Sequence, residues 1–447
     1  MPIWKMCFMH WSKLKLLFLI ELRTLFASRA FWILLLISSP LTGYSFMTAI
    51  DLYNQSSRAA LTSPQLATGL NPFDGIIVPT LGGLYLVLTL LFPFLAIRML
   101  STDKASGAFR ILLQLPSSAV DLIASKTLVL ACALLVVEIP GILAIVLWRV
   151  SGGHVYVPEV FSILLGHALY GLIIGAISLF AAAITGSAST AAIVALGFTL
   201  GSWVLDFAAL GSNAFVRGIA RLSLTAALKP FEQGLLVGAT IVGGSTAILM
   251  FLVLTTVWWH PGRLMWEKSY ASTAIVIAWI FIVVFARYTG SADFTEDRRH
   301  SLAPAVVTAL RQIQKPIRIT VYLGSEDPRL LDFSQSVLAK LRRALPKTKV
   351  DFPLGRGGGF LGSTQEDKYG LIIYSVGTKE AQSRSTSPEE ILPLLWELAG
   401  IDPPIQQSES PYRGYPHIIH SSRLSEICFY LALPSISLLG LVHSMRS

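Results

Sequence analysis

The chain has 447 residues, of which 53% are hydrophobic and only 14% charged, a balance outside the range of ordinary soluble domains. Its formal charge of +9 could serve nucleic acid, but in a membrane protein basic residues gather on the cytoplasmic side and set orientation, so no nucleic-acid partner is expected. The three cysteines, Cys7, Cys132 and Cys428, each lie in or beside an apolar segment, which excludes a disulfide framework and a thiolate zinc site.

The chain opens with "WSKLKLLFLIELRTLFASR", where Lys13, Lys15, Glu21, Arg23 and Arg29 interrupt leucines and phenylalanines, the pattern of a helix lying in the membrane interface. The basic start shows no small-residue cleavage site, so the first apolar segment is expected to stay as an anchor. About eight segments are long enough to cross some 30 Å of hydrocarbon. They are Ala30 to Ile50, Ile76 to Ile97, Thr127 to Trp148, Val160 to Ile184, Ser189 to Leu210, Leu235 to Trp258, Tyr270 to Ala286 and Ile427 to Val442. With the N-terminus inside, inner segments hold Lys5, Lys13, Lys15, Arg23, Arg29, Arg98, Lys104, Arg110, Lys126, Arg263, Lys268 and Arg446. Short outer loops then hold Arg58, Arg149, Arg217, Arg221 and Lys229, so charge favours cytoplasmic N- and C-termini.

Between the second and third segments stands "IRMLSTDKASGAFRILLQLPSSAVDLIASK". Ala105 to Leu115 has helical apolar spacing, Pro116 ends it, and Ser118 followed by Asp121 predicts a capping box opening the next helix. A short helix held between two spans transmits a push that a flexible loop would absorb.

After the seventh segment, charged residues, Pro, Gly and Ser return. "SLAPAVVTALRQI", Asp332 to Leu345 and Pro388 to Ala399 read as helices, and "IRITVYL", "KVDF" and "LIIYSV" as strands, which predicts a small α/β domain with a mostly parallel sheet. The expected organisation is an interfacial helix at 1–29, a transmembrane domain at 30–260, a further anchor at 261–288, an extracytoplasmic α/β domain at 289–425 and a last anchor at 426–447.

Several motifs invite chemistry. "LGRGGGFLGST", Leu354 to Thr364, has the glycine spacing of a phosphate-binding loop, but Ser363 stands where that loop needs its lysine, so it reads as a turn. Glu138 lies within "LLVVEIPGILAIVL", where a carboxylate costs about 2.5–3.5 kcal/mol. It therefore faces the bundle or a wet cavity beside Pro140, and either a hydrogen-bonding role or a place on a substrate path or gate accounts for it. Asp206 reads as interfacial and His167 as packed on a helix face, and "HIIH", His417 and His420, lacks a nearby third metal ligand. No nucleophile elbow or zinc-protease helix appears, so no catalytic residue is assigned.

"ELRTLFASRAFWILLLISSPLTGYSF", with Glu21, Leu22, Arg23, Phe26, Ser28, Gly43 and Phe46, resembles the opening of ABC exporter permeases, in particular the gliding-motility type. "LLFPFLAIRMLSTDKASGAFRILLQLPSSAVDLIASK" is similar to that family's cytosolic signature through Arg98, Asp103, Lys104, Gly107, Leu112, Leu113, Pro116 and Lys126; Asp103, Ala108 and Ser125 replace its usual glutamate, threonine and glycine. "DFTEDRRHSLAPAVVTALRQIQKPIRITVYL" and "LALPSISLLGLVHSMRS" resemble the start and the C-terminal anchor of the auxiliary subunit of the same transporter type, with a shorter domain between. These resemblances imply a permease of about six helices fused to an auxiliary domain. They also imply a bacterial inner-membrane location and a homodimer or heterodimer of permease chains among membrane lipids. A separate cytosolic ATPase would bind ATP and Mg, with no cofactor on this chain, and would drive it through the segment that also carries Arg110. Two other classes stay open on the residues alone: an envelope-anchored binding or assembly module, and an ion-coupled secondary transporter.

Overall fold

A computed structural model describes residues 3–107, 118–209, 219–220, 223–260, 262–313, 315–324, 327–345, 348–353, 368–403, 412–419 and 422–446. The chain forms two compact units, one of Met1–Trp203, Ala227–Gly290 and Arg413–Ser447, the other of Val204–Ala226 and Ser291–Tyr412.

The first unit is helical. Helix α1 (Ile3–Phe26) stops at a corner, and α2 (Arg29–Thr62) starts from Ser28, whose backbone is extended. The indole N–H of Trp32 donates to the Phe26 carbonyl at 2.7 Å, and Phe26 meets Phe31 edge to face, so the corner is held from both sides. Next come α3 (Phe73–Ala105), α4 (Ala119–Val150), α5 (Val157–Ile184), α6 (Ala188–Ala209, of which 204–209 are assigned to the second unit), α7 (Leu224–Glu232, of which 224–226 are assigned to the second unit), α8 (Gly238–Trp259) and α9 (Met265–Ala286). With the C-terminal helix (Arg423–Arg446), eight of these helices are long and apolar enough to cross a membrane, and they coincide with the eight predicted segments. Helix α4 is interrupted at Glu138, two residues before Pro140, which lacks the N–H that would continue the ladder.

The C-terminal helix packs antiparallel on α2. A Cβ on Gly43 would come within 2.5 Å of Phe429, and one on Gly440 within 2.3 Å of Trp32, so both glycines exist to let aromatic side chains against a backbone. Ser39 Oγ donates to the Phe429 carbonyl at 2.9 Å. Before this helix, residues 413–419 are stitched to the ends of α2 and α4. Asn54 of α2 donates to the Ile419 carbonyl (3.2 Å) and accepts from its N–H (3.0 Å), Tyr53 Oη donates to the Tyr415 carbonyl (2.8 Å), and Ser57 Oγ accepts from His417 N–H (3.1 Å). A buried cluster of Phe46, Ile50, Tyr53, Ile76, Leu147, Trp148 and Phe429 lies beneath. The C-terminal anchor is therefore an integral helix of the bundle.

The second unit contains a four-stranded sheet with spatial order β2-β1-β3-β4, where β1 is Ile317–Val321, β2 Lys349–Asp351, β3 Ile372–Val376 and β4 Lys379–Ser383. Its pairing corrects the expectation of a mostly parallel sheet: β1 and β2 are parallel, but β1–β3 and β3–β4 are antiparallel. The helical run 328–344 carries the chain from β1 to β2, as a parallel pair requires. Strand β4 went unread because it is polar; Gly377, at φ +66°, starts the tight turn that folds it back on β3. Alternation then buries Ile317, Ile319, Val321, Ile372, Tyr374 and Val376 on one face, with Leu310, Phe333, Leu338, Ile391 and Trp396 completing the core. The "DFTEDRRHS" stretch forms a knot in which Asp293 accepts hydrogen bonds from Thr295 N–H (3.0 Å), Thr295 Oγ1 and His300 N–H (3.1 Å), while Arg343 donates to the His300 carbonyl.

Candidate functional site

The ends of α3, α4, α5 and α8 converge beside α1. Lys126 sits two turns into α4, and its side chain is fully buried. Its ammonium is 2.6 Å from Glu21 of α1 and 2.7 Å from Asp103 at the end of α3, and it donates to the Met99 carbonyl at 3.0 Å. An uncompensated ammonium there would face the full desolvation penalty, so the two carboxylates are the condition on which Lys126 can be buried. Burial raises the Glu21 carboxyl above its ordinary value, against the lowering effect of Lys126 beside it, with Asp103 adding to the rise. Two carboxylates therefore share one ammonium, and the three helices carrying them are held in one register.

Lys104, the next residue along α3, turns the other way. Its ammonium donates to the carbonyls of Ala182 (2.6 Å), Ala183 (2.8 Å) and Thr185 (3.0 Å), the last turn of α5, where helical carbonyls lack intrahelical partners and the dipole favours a cation. The same ammonium lies 5.4 Å from the Trp259 ring at the end of α8. The adjacent pair Asp103 and Lys104 thus fastens α1 and α4 on one side of α3, α5 and α8 on the other. Gly107 follows at φ +71°, a left-handed conformation that turns the chain straight after this fastening.

The expected capping box is present: Asp121 N–H donates to Ser118 Oγ (3.2 Å) and Ser118 N–H to Asp121 Oδ2 (3.0 Å), so α4 begins rigidly. Arg98 lines a cavity of about 410 Å³ between α1 and α3, together with Glu21, Thr24, Ser28, Met99 and Asp103. Arg23 is exposed on α1. Arg110, Leu112, Leu113 and Pro116, with most of the expected helix from Ala105 to Leu115, lie outside the described residues, as do Ala108, Arg217, Arg221, His420 and the glycine-rich stretch Leu354 to Thr364. His417 approaches the Ser151 carbonyl through Nε2 at 2.9 Å and Trp148 edge-on, and no cluster of three or more metal-ligating side chains occurs among the described residues.

Far from this junction, Glu138 is 3% exposed and its Oε1 has no hydrogen-bond partner among the described residues; Pro140 is buried beside it. His167 on α5 is 1% exposed, and neither ring nitrogen has a hydrogen-bond partner among the described residues. Sequence reasoning singled out Glu21, Asp103, Lys104 and Lys126 but did not pair them, and it missed the carbonyls that Lys104 engages, because backbone acceptors leave no mark in the residue pattern. The one legible signal was Lys126 itself, set in the uncharged run "LIASKTLVLACALLVV", where a cation needs partners.

No curated protein and no solved structure matches the chain. Residues 16–228, which carry Glu21, Asp103, Lys104 and Lys126 of the junction but not Trp259 of α8, match the family model described as ABC-2 family transporter protein, and this part of the chain is thus similar to the membrane subunit of an ABC transporter.

Proposed function

We propose that the chain is the membrane permease subunit of an ABC exporter, moved by a separate ATPase that docks at the α1 end. The observation that carries this reading is the double fastening at Asp103 and Lys104: a displacement delivered to residues 105–117 reaches α1, α3, α4, α5 and α8 at once. Such a junction suits rigid-body switching between two states, because a buried ion pair and a capped helix end resist continuous deformation. Together with the family match, it favours transport over a purely anchoring role.

In this reading the α1 end is cytoplasmic, both termini are inside, ATP and Mg belong to the partner, and two permease chains assemble around the path. The domain at 291–412 acts outside as a fused auxiliary domain that binds substrate or an envelope partner, in keeping with the gliding-motility-type resemblance of its opening stretch. The test is co-reconstitution with an ABC ATPase, and this reading expects one to be encoded next to the chain. The chain should stimulate that ATPase, and Gly107→Val or Arg110→Glu should uncouple stimulation while the subunits still co-purify. Robust ATP hydrolysis by the purified chain alone, or labelling of a Ser106→Cys variant only from outside intact cells, would overturn the reading.

A further inference from the structure

Two close contacts set the register between α4 and α5. Leu134 packs on Gly171, where a Cβ would lie 2.5 Å from its side chain, and Leu130 meets Gly175, where the corresponding distance is 3.6 Å. Four residues forward on α4 thus correspond to four residues back on α5, one helical turn on each. The next turn brings Glu138 level with His167. Both are more than nine-tenths buried, and Glu138 Oε1, His167 Nδ1 and His167 Nε2 have no hydrogen-bond partner among the described residues.

The surroundings supply acceptors and aromatic faces. Helix α3 approaches the same level through Leu81 and Leu84, which pack on Gly141 of α4. Between them and Thr89 stands Tyr85, whose ring centroid is 5.1 Å from that of Tyr170 on α5; Tyr170 Oη shares a 2.8 Å hydrogen bond with Thr89 Oγ1. From the other side Phe231 of α7 packs on Gly166, and Glu232, with Lys229 within its electrostatic reach, acts on Tyr170. On α4 the nearest basic residues, Lys126 and Arg149, are 11 or 12 positions from Glu138, roughly 16–18 Å along the axis. Helix α5 carries no Lys or Arg, and on α3 Arg98 and Lys104 lie at the junction end.

We propose that Glu138 and His167 form an intramembrane site for the cationic head of a lipophilic amine. The carboxylate accepts an ammonium hydrogen bond and a neutral imidazole offers a second acceptor in either tautomer, with Tyr170 three residues beyond His167 on the same helix. This names a substrate class for the proposed export path and rests on that reading. Its test uses no nucleotide, so a failure here leaves the coupling proposal standing, and a failure of ATPase stimulation leaves this site untouched.

The full chain in lipid nanodiscs is titrated with the fluorescent primary amine dansylcadaverine and, in parallel, with uncharged dansylamide. The amine should show a saturable rise in blue-shifted emission that the amide lacks. Glu138→Gln should weaken the amine by about tenfold or more, Glu138→Asp should retain most of the affinity, and His167→Gln should fall between. In the unmutated chain, bound amine should slow carbodiimide labelling of Glu138, read by peptide mass spectrometry, which keeps the test valid if a variant folds poorly. Equal saturation by the Glu138→Gln protein, equal binding of the amide, or a labelling rate indifferent to the amine would overturn the site.

Discussion

Replacing Lys126 by methionine tests the junction most directly. The substitution keeps an unbranched side chain of similar length, so packing changes little while the charge is lost. Lys126 is fully buried, and its partners Glu21 and Asp103 have side chains only 13% and 19% exposed. Removing the ammonium leaves two carboxylates beside one another with no counter-charge, a change that costs about 3–5 kcal/mol for a buried pair. Adding Glu21→Gln and Asp103→Asn removes the stranded charges, and the triple variant should return to within about 1–2 kcal/mol of the parent. Unfolding of the purified chain by SDS titration from mixed micelles, followed by helical circular dichroism, measures each species. A Lys126→Met protein as stable as the parent, or three substitutions whose costs simply add, would refute the claim that Lys126 depends on both carboxylates.

Lys104→Met should destabilise the bundle by about 1–3 kcal/mol through three carbonyls left unpaired, and Lys104→Arg should recover part of it; the same SDS titration measures both. Gly43→Leu should drive Phe429 off α2, and trypsin cleavage after Arg423 should then accelerate, whereas Gly82→Leu, where a side chain meets open space, should leave cleavage unchanged. Burial holds His300 down at about pH 4 against an ordinary 6.5, so the unfolded chain takes up the proton first on acidification. The stability this represents is complete above pH 6.5 and is lost as pH falls toward 4. Full linkage is about 3 kcal/mol, and partial exposure reduces it to about 1–2. Hydrogen exchange of residues 291–412 in the full chain at pH 7 and pH 5, corrected for intrinsic rates, should show the loss, and His300→Gln should abolish the difference.

The amino-acid pattern by itself determined the parts of this protein governed by local chemistry. Eight apolar stretches long enough to span hydrocarbon became eight helices, the Ser118 and Asp121 pair became the cap it spells, and alternation in "IRITVYL" and "LIIYSV" became strands with one buried face. Those features depend on residues a few positions apart, which the chain displays directly. Only the tertiary structure decided which distant residues meet. Glu21, Asp103 and Lys126 are far apart in the chain, and each reads singly as an interfacial or flanking charge; their pairing follows from the placement of α1 against α3 and α4. The mixed sheet also escaped reading, because strand direction depends on which neighbour a strand finds and a polar edge strand such as Lys379–Ser383 has no hydrophobic period to announce it. The level shared by Glu138 and His167 is likewise a matter of helix register, fixed by where leucines seat on Gly171 and Gly175. Local propensity names the helices; close packing between them selects the partners, because buried charges and bulky side chains tolerate few of the alternatives that the sequence alone permits.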